Sequence, residues 1–256
     1  ILNPWIHDVV ETNKTVDNTE LMKFQVAAEA ILAKGAKAFG KGKSDLDRYD
    51  AELRFADSHW GRLLDTVEAS WSPDEYVLVF TSDHGEAFDA NHPKEHHDFS
   101  LYTAVLHVPL MIQSPWRRGE TVEGLTSHLD IMPTLANLVG EPPDPLWLGE
   151  SLVGVLAQRR PIEKQAVHSL FYIPEAVRRD KDPFEMIGIR TATHYYVADY
   201  RKDERWLVKW TEDPLDAHDL SDVEPSTQAI YASVLAKHLQ WLRDNEEGLR
   251  HTLAAP

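Results

Sequence analysis

An apolar run at residues 76–81, Tyr-Val-Leu-Val-Phe-Thr, limits the possible folds of this chain more than any other feature. It lacks polar alternation, which is typical of strands covered on both faces in the parallel sheets of α/β proteins. An apolar stripe with helical period runs from Leu46 to Val67 just before it, and Ser44 is placed to cap that helix. A long helix followed by a buried strand predicts an α/β fold.

The second half of the chain has a different texture. Prolines at positions 142, 143 and 145 mark a loop, after which short strand-like segments alternate with turns. The predicted elements are strands at 185–192, 194–200 and 204–210 and an amphipathic helix at about 228–243. We therefore expect an α/β domain at residues 1–160 and a small α+β subdomain at 161–256, with antiparallel strands and a terminal helix.

Charge and composition exclude several classes of partner. The net charge of −16 provides no basic surface for nucleic acid or anionic lipid. No apolar run approaches the roughly 18–20 residues that span a bilayer. The absence of cysteine excludes disulfides and a thiolate metal site.

The opening residues ILNPWIHDVV resemble the interior of a domain rather than a signal segment, so we expect a fragment. The sequence leaves the compartment and the oligomeric state open.

The strand at 76–81 runs directly into Ser82-Asp83-His84-Gly85-Glu86. Ligands of open α/β sheets bind beyond the carboxyl ends of strands, so Asp83 and His84 are well placed for chemistry. One carboxylate and one imidazole suit Ca²⁺, Mg²⁺ or Mn²⁺ in a carboxylate-rich shell, and Zn²⁺ in a histidine-rich one. The two residues alone also fit an ordinary strand-end turn. A histidine-rich loop follows, NHPKEHHDF, whose side chains suit metal ligation, proton donation, anion binding or plain solvation.

Six blocks of the sequence, in the same order, resemble the sulfatase family of the alkaline-phosphatase superfamily. The helix before the strand is similar to "Y.AEI.F.D..IG.LL", and residues 80–86 match "FTSDHGE". The remaining blocks resemble "HG.TLYEE..RVPL" at 97–110, "SHIDI.PTLL.L.G" at 127–140, "G.SL" at 149–152 and "DP.E..NL" at 213–220. The resemblance implies an alkaline-phosphatase-like, mostly parallel sheet sandwiched by helices, incomplete because its N-terminal strand is missing.

The resemblance implies a metal site formed in part by two residues of this chain. Asp83 and His84 match the family pair that binds a divalent cation together with two acidic residues from an earlier strand. The expected ion is Ca²⁺, or Mn²⁺ or Zn²⁺ if the protein is a phospho-hydrolase. His128 matches a common family residue for which a structural hydrogen bond is an equally good interpretation.

The resemblance also implies residues that contact a small anionic ester substrate. His97 matches a histidine that faces the sulfuryl or phosphoryl group, or that joins a second metal in the phosphatase branch. Lys94 is a candidate for a lysine aimed at the ester oxygens, although it stands a few residues early and Asp98 occupies the usual place. His7 matches the family's "F.WVH" strand. The family's second histidine, in "DPH.PY", is replaced here by Thr12, which puts the acid that protonates the leaving group in doubt.

No segment of this chain matches the family's nucleophile motif, "C/S.PSR". The resemblance therefore implies a metal-dependent sulfuric ester hydrolase as the full-length protein, with these 256 residues inactive alone. Two alternatives stay open. One is a phosphodiesterase, phosphomonoesterase or phosphoethanolamine transferase of the same superfamily, and the other is a non-catalytic sulfatase-like binding protein. Relatives are often secreted or periplasmic.

Overall fold

The computed structural model describes residues 44–88, 100–116, 119–172 and 184–253. Its first element, helix α1, spans Asp45–Ser70. The Ser44 hydroxyl accepts a hydrogen bond from the Asp47 N–H (3.2 Å), and the Asp47 carboxylate accepts one from the Ser44 N–H (3.1 Å). This reciprocal capping box satisfies N–H groups that a helix end leaves unpaired. The predicted helix and its cap are confirmed.

Strand β1 (Leu78–Thr81) follows α1, and the Trp60 ring of the helix packs on Phe80 with ring centroids 5.0 Å apart. After the short helix α2 (Thr103–Leu106), strand β2 (Leu110–Gln113) pairs with β1 in antiparallel register, Thr81 facing Leu110.

The orientation of this pair corrects part of the sequence prediction. The strand covers residues 78–81 of the run, its neighbour among the described strands is antiparallel, and its residues are only partly buried. The reason is the position of α2. It lies at the carboxyl end of β1, where the Gly85 N–H donates to the Val105 carbonyl (2.7 Å), so the chain re-enters the sheet from that end. A strand that starts there must run in the opposite direction.

The middle of the chain connects the two sheets. A 3₁₀ turn at His128–Asp130 leads into helix α3 (Ile131–Leu138), and helix α4 spans Val153–Gln158. Gly140 follows α3 with φ of 83°, a left-handed conformation that glycine adopts without strain. Helix α3 ends two residues before this glycine.

The C-terminal part is a four-stranded antiparallel meander with a long helix. Its strands are β3 (Ala166–Tyr172), β4 (Phe184–Thr191), β5 (Tyr195–Asp199) and β6 (Glu204–Val208), followed by α5 (Pro225–Leu253). The last three strands and the helix were expected, although α5 is longer at both ends. Strand β3 was not.

Both faces of the meander are covered. One face packs on α5, where Ile187 and Tyr196 contact Leu235 and Leu239 in one buried cluster. The other face holds Tyr195, Val197 and Val208 with Leu101. Because alternate residues of a strand point to opposite faces, β5 is buried along its whole length. None of the described helices is long and apolar enough to cross a bilayer.

Candidate metal site

Asp83 projects from the end of β1 with 88% of its side chain exposed. The His84 N–H donates to Asp83 Oδ1 (3.0 Å), and the Ser82 hydroxyl donates to the His84 carbonyl oxygen (2.7 Å), which together fix the turn. The same His84 N–H is the main cause that holds the pKa of Asp83 below its ordinary value, because it stabilises the ionised carboxylate. Asp83 is therefore ionised at neutral pH and presents an exposed anionic oxygen.

His84 lies beside this carboxylate with a defined ring orientation. Its Nδ1 is 2.8 Å from the Gly85 carbonyl oxygen, which only accepts, so Nδ1 carries the proton. A backbone carbonyl that holds Nδ1–H in this way is the usual support of a metal-binding histidine, because it leaves the Nε2 lone pair for the ion. His84 Nε2 is 3.7 Å from Asp83 Oδ2. A cation with bonds of about 2.0–2.6 Å can contact both atoms.

This pair fits a divalent cation but is not a complete shell. Within the described ranges, no group of three or more His, Cys, Asp or Glu side chains is arranged to hold a metal ion. A hard divalent cation takes about six to eight ligands if it is Ca²⁺, and about four if it is Zn²⁺. The remaining ligands must come from protein outside the described residues or from water.

Gly85 locks the turn against helix α2. A Cβ added there would lie 2.1 Å from the Ala104 carbonyl oxygen, a distance that no side chain tolerates. The backbone of the turn can approach α2 and form the Gly85–Val105 hydrogen bond only because the residue is glycine. The glycine of the "DHG" block is thus required by packing.

The "SHLDIMPT" block has a structural role. The ring of His128 places Nε2 3.2 Å from the Thr81 hydroxyl, which ties the 3₁₀ turn to the end of β1. Asp130 is fully buried and accepts hydrogen bonds from the Ser127 N–H (2.8 Å), the Glu150 N–H (2.8 Å) and Lys164 Nζ (2.5 Å). These partners satisfy a carboxylate that would otherwise be costly to bury. They also connect this block to the "GESL" block.

A third set of contacts ties the turn to the C-terminal sheet. Asp216 accepts hydrogen bonds from the Thr103 N–H (2.5 Å) and the Thr103 hydroxyl (2.7 Å). The Arg190 guanidinium on β4 donates to the same hydroxyl (2.7 Å). Helix α2 begins at Thr103, so the element that holds Gly85 is itself anchored by residues more than 85 positions further along the chain.

The sequence-predicted site residues divide into two groups. Asp83 and His84 are brought together at the end of β1. His7, Lys94 and His97 lie outside the described residues, so their assigned roles stay predictions. Sequence reasoning did not single out Arg190 or Thr103. The one available signal was a charged residue inside the otherwise apolar strand pattern Met-Ile-Gly-Ile-Arg at 186–190.

Several solved structures share this architecture. The structure of BT4656 in complex with its substrate D-glucosamine-2-N,6-O-disulfate superposes with a TM-score of 0.64 at 23% identity, covering 83% of this chain and 45% of that one. The phosphonate monoester hydrolase of Agrobacterium radiobacter gives a TM-score of 0.60 at 22% identity, covering 75% and 40% of the two chains. The fold is therefore the mixed α/β fold of alkaline-phosphatase-like hydrolases, as predicted.

The sequence comparisons narrow this class. A family model described as Sulfatase matches residues 8–141, just over half of the chain, and the chain belongs to that family. Choline-sulfatase from Rhizobium meliloti (strain 1021) is 26% identical over 201 residues, which cover 74% of this chain and 36% of that enzyme. The chain thus spans less than half the length of these relatives. Members of the superfamily generally use a divalent metal ion.

Proposed function

We propose that this chain is the metal-binding part of a sulfuric ester hydrolase. The observation that supports it most is the arrangement of Asp83 and His84, an exposed carboxylate and an oriented imidazole 3.7 Å apart at the end of a strand. Family membership and the "FTSDHGE" block agree with this role. Calcium is the proposed cation, since an exposed carboxylate suits a hard ion.

The proposed reaction is hydrolysis of a small anionic ester. The S–O bond to the alcohol breaks, a new S–O bond forms to the oxygen of water, and the alcohol leaves with a proton. A bound divalent cation would neutralise charge on the ester oxygens. Asp83 and His84 would hold that cation in place. His97 and Lys94 are proposed to contact the ester oxygens, and His7 to line the same site.

We propose that the nucleophile is a residue outside these 256 positions, because no segment matches "C/S.PSR" and the chain has no cysteine. An activated nucleophile and a complete metal shell are both needed for the reaction. We therefore expect no ester hydrolysis by these residues alone.

The test uses the protein that contains this chain. Asp83→Asn and His84→Gln should each lower the turnover of an aryl sulfate about 100-fold or more and reduce the bound metal measured by mass spectrometry. Asp65→Asn, an exposed aspartate of α1, is the matched control and should change neither quantity. Full activity and full metal content in Asp83→Asn would refute the assignment.

A phospho-hydrolase is the second candidate. It is supported by the similarity to a multifunctional alkaline phosphatase superfamily protein, PehA of Trinickia caryophylli, which is 23% identical over 209 residues and covers 77% of this chain and 40% of that protein. Parallel assays on a sulfate ester, a phosphate ester and a phosphonate monoester with the same leaving group decide between a sulfatase and a phospho-hydrolase. Turnover of the phosphorus esters alone would favour this candidate, and turnover of none would favour a non-catalytic relative.

A further inference from the structure

A cavity of about 450 Å³ opens beside the candidate metal turn. Thr81, two residues before Asp83, lines it at the end of β1. The segment that starts β2 forms one wall, and strands β3 and β4 of the C-terminal meander form the other. Among the lining side chains are His107, Arg190 and Trp210. The space therefore lies between the metal-site half of the chain and the C-terminal sheet, and we refer to it as the Arg190 cavity.

The electrostatic character of the Arg190 cavity differs from that of the chain as a whole. The sequence has 42 acidic against 26 basic residues, yet in the described part of the chain no aspartate or glutamate lines this space. Its polar lining consists of hydroxyl groups, three histidines and one arginine. A wall with a cation and without carboxylates favours an anionic occupant.

Arg190 is 7% exposed, so its charge is largely removed from solvent. Of its five N–H donors, one makes a hydrogen bond within the described ranges, to the Thr103 hydroxyl. The guanidinium lies over the Tyr195 ring (4.5 Å) and the Trp210 ring (5.0 Å), which fixes its plane. Burial lowers the pKa of Arg190, and the neighbouring Tyr195 and Asp216 oppose that shift.

Asp216, the carboxylate that interacts electrostatically with the Arg190 guanidinium, already accepts other hydrogen bonds. Asp216 raises the pKa of Arg190, but both of its carboxylate oxygens accept hydrogen bonds from Thr103. In the described residues no carboxylate forms an ion pair with Arg190 within 4 Å. A buried guanidinium without an ion-pair partner is stabilised most by a ligand that carries a negative charge. The reason is that hydrogen bonds between charged groups are stronger than hydrogen bonds between neutral ones.

We infer that the Arg190 cavity binds a second anionic group, a carboxylate or sulfate, carried by the leaving group of the substrate. Arg190 would donate to that group, and Trp210 and the aliphatic wall would contact the ring that bears it. The role in hydrolysis rests on the proposed function above. The binding of the anion does not, since the residues that form the cavity are separate from Asp83 and His84.

The test compares two aryl sulfates that differ by one ring carboxylate. In the protein that contains this chain, kcat/KM should be at least 10-fold higher for the carboxylated ester. Arg190→Met should lower the ratio of the two kcat/KM values by about 10-fold or more, the size expected for a charge-assisted hydrogen bond. Both absolute values can fall as well, because Arg190 also hydrogen-bonds Thr103 at the start of α2. Equal loss on both esters would show a purely structural arginine and overturn the inference.

Arg201→Lys is the matched control. Arg201 lies in the turn between β5 and β6, is mostly buried and packs its guanidinium 5.5 Å from the Phe171 ring, but it pairs with Asp199 and does not line the cavity. It should leave the ratio of the two kcat/KM values unchanged. A shift of that ratio equal to the one in Arg190→Met would also overturn the inference.

A binding measurement separates this inference from the proposed function and does not depend on the stability of any variant. The two phenols released from the esters are titrated into the wild-type protein in the presence of EDTA, and the indole N–H resonance of Trp210, which donates to the Thr191 carbonyl (2.9 Å), is followed. The carboxylated phenol should bind at least 10-fold more tightly. Equal affinity overturns the subsite, whereas selective binding without hydrolysis of any ester overturns the proposed function only.

Discussion

Glycine has opposite effects on stability at two positions of this chain. At Gly61, in the middle of α1, an added Cβ meets nothing within 4 Å, whereas at Gly85 it meets the Ala104 carbonyl oxygen at 2.1 Å. The first glycine costs helix stability and gives no contact in return. The second permits the close approach between the turn of Asp83 and His84 and helix α2.

Substitution by alanine should therefore have opposite effects at these two positions. Gly85→Ala should lower the free energy of unfolding by about 1–3 kcal/mol, because the backbone of α2 must move. Gly61→Ala should raise it by about 0.5–1 kcal/mol. Urea denaturation followed by circular dichroism measures both. A Gly85→Ala protein as stable as wild type would show that the contact with α2 yields easily.

The packing of β3 against α5 includes two histidine rings. His168 of β3 stacks on His238 of α5 with centroids 4.0 Å apart and planes inclined by 22°, and His238 stacks in turn on Trp241. Burial, and secondarily the neighbouring His238, lowers the pKa of His168 to about 4, and burial lowers the pKa of His238. Both rings are neutral at pH 7, and the stacked arrangement is favourable when neither ring is charged.

The stack makes this interface sensitive to acid. Between pH 6.5, the ordinary pKa, and about 4, the unfolded chain binds a proton at His168 that the folded chain does not. Stability is therefore highest above pH 6.5 and falls as the pH drops through that window. Because the ring is partly exposed, we expect the loss from His168 to be roughly 1–2 kcal/mol.

His168→Phe tests this pH dependence. The variant keeps an aromatic ring but cannot take up a proton, so its melting temperature should fall less than that of wild type between pH 7 and 4.5. His59→Phe is the control, since the His59 ring packs on Phe55 within α1, away from the C-terminal sheet. Identical pH profiles of wild type and His168→Phe would contradict the assignment.

The two halves of the molecule are joined at the start of α2. Thr103, which is 3% exposed, donates two hydrogen bonds to Asp216 and accepts one from Arg190. Tyr195 of β5 adds a hydrogen bond from its hydroxyl to the Leu101 carbonyl oxygen (2.7 Å). Since α2 also holds Gly85, the C-terminal sheet supports the helix against which the turn of Asp83 and His84 packs.

A double-mutant cycle measures this connection. Asp216→Asn and Thr103→Val should each lower the free energy of unfolding by about 1–3 kcal/mol, with a coupling energy of about 0.5–3 kcal/mol between them. Asparagine suits position 216 because its φ of 51° is left-handed, a region that Asn tolerates. Asp203→Asn, at an exposed left-handed position, is the control and should cost little. Additive effects would mean that the two side chains do not act together.

Local patterns determined much of the architecture. The stripe in α1 and its Ser44 cap, the apolar run of β1, and the strands β4 to β6 all follow from neighbours within a few residues, which is the range over which periodicity and capping act. The same holds for Asp83 and His84, whose position after β1 follows from adjacency in the chain.

Tertiary structure decided the rest. The antiparallel partner of β1 depends on where α2 sits, and β3 is a strand because β4 supplies its hydrogen bonds. The Arg190–Thr103 contact joins residues 87 positions apart, and the Thr103–Asp216 contact joins residues 113 apart. No local pattern encodes such pairs, because their energy is realised only after the sheets have packed and excluded water. The sequence alone therefore predicted where Asp83 and His84 lie, and the packed fold alone revealed the cavity beside them.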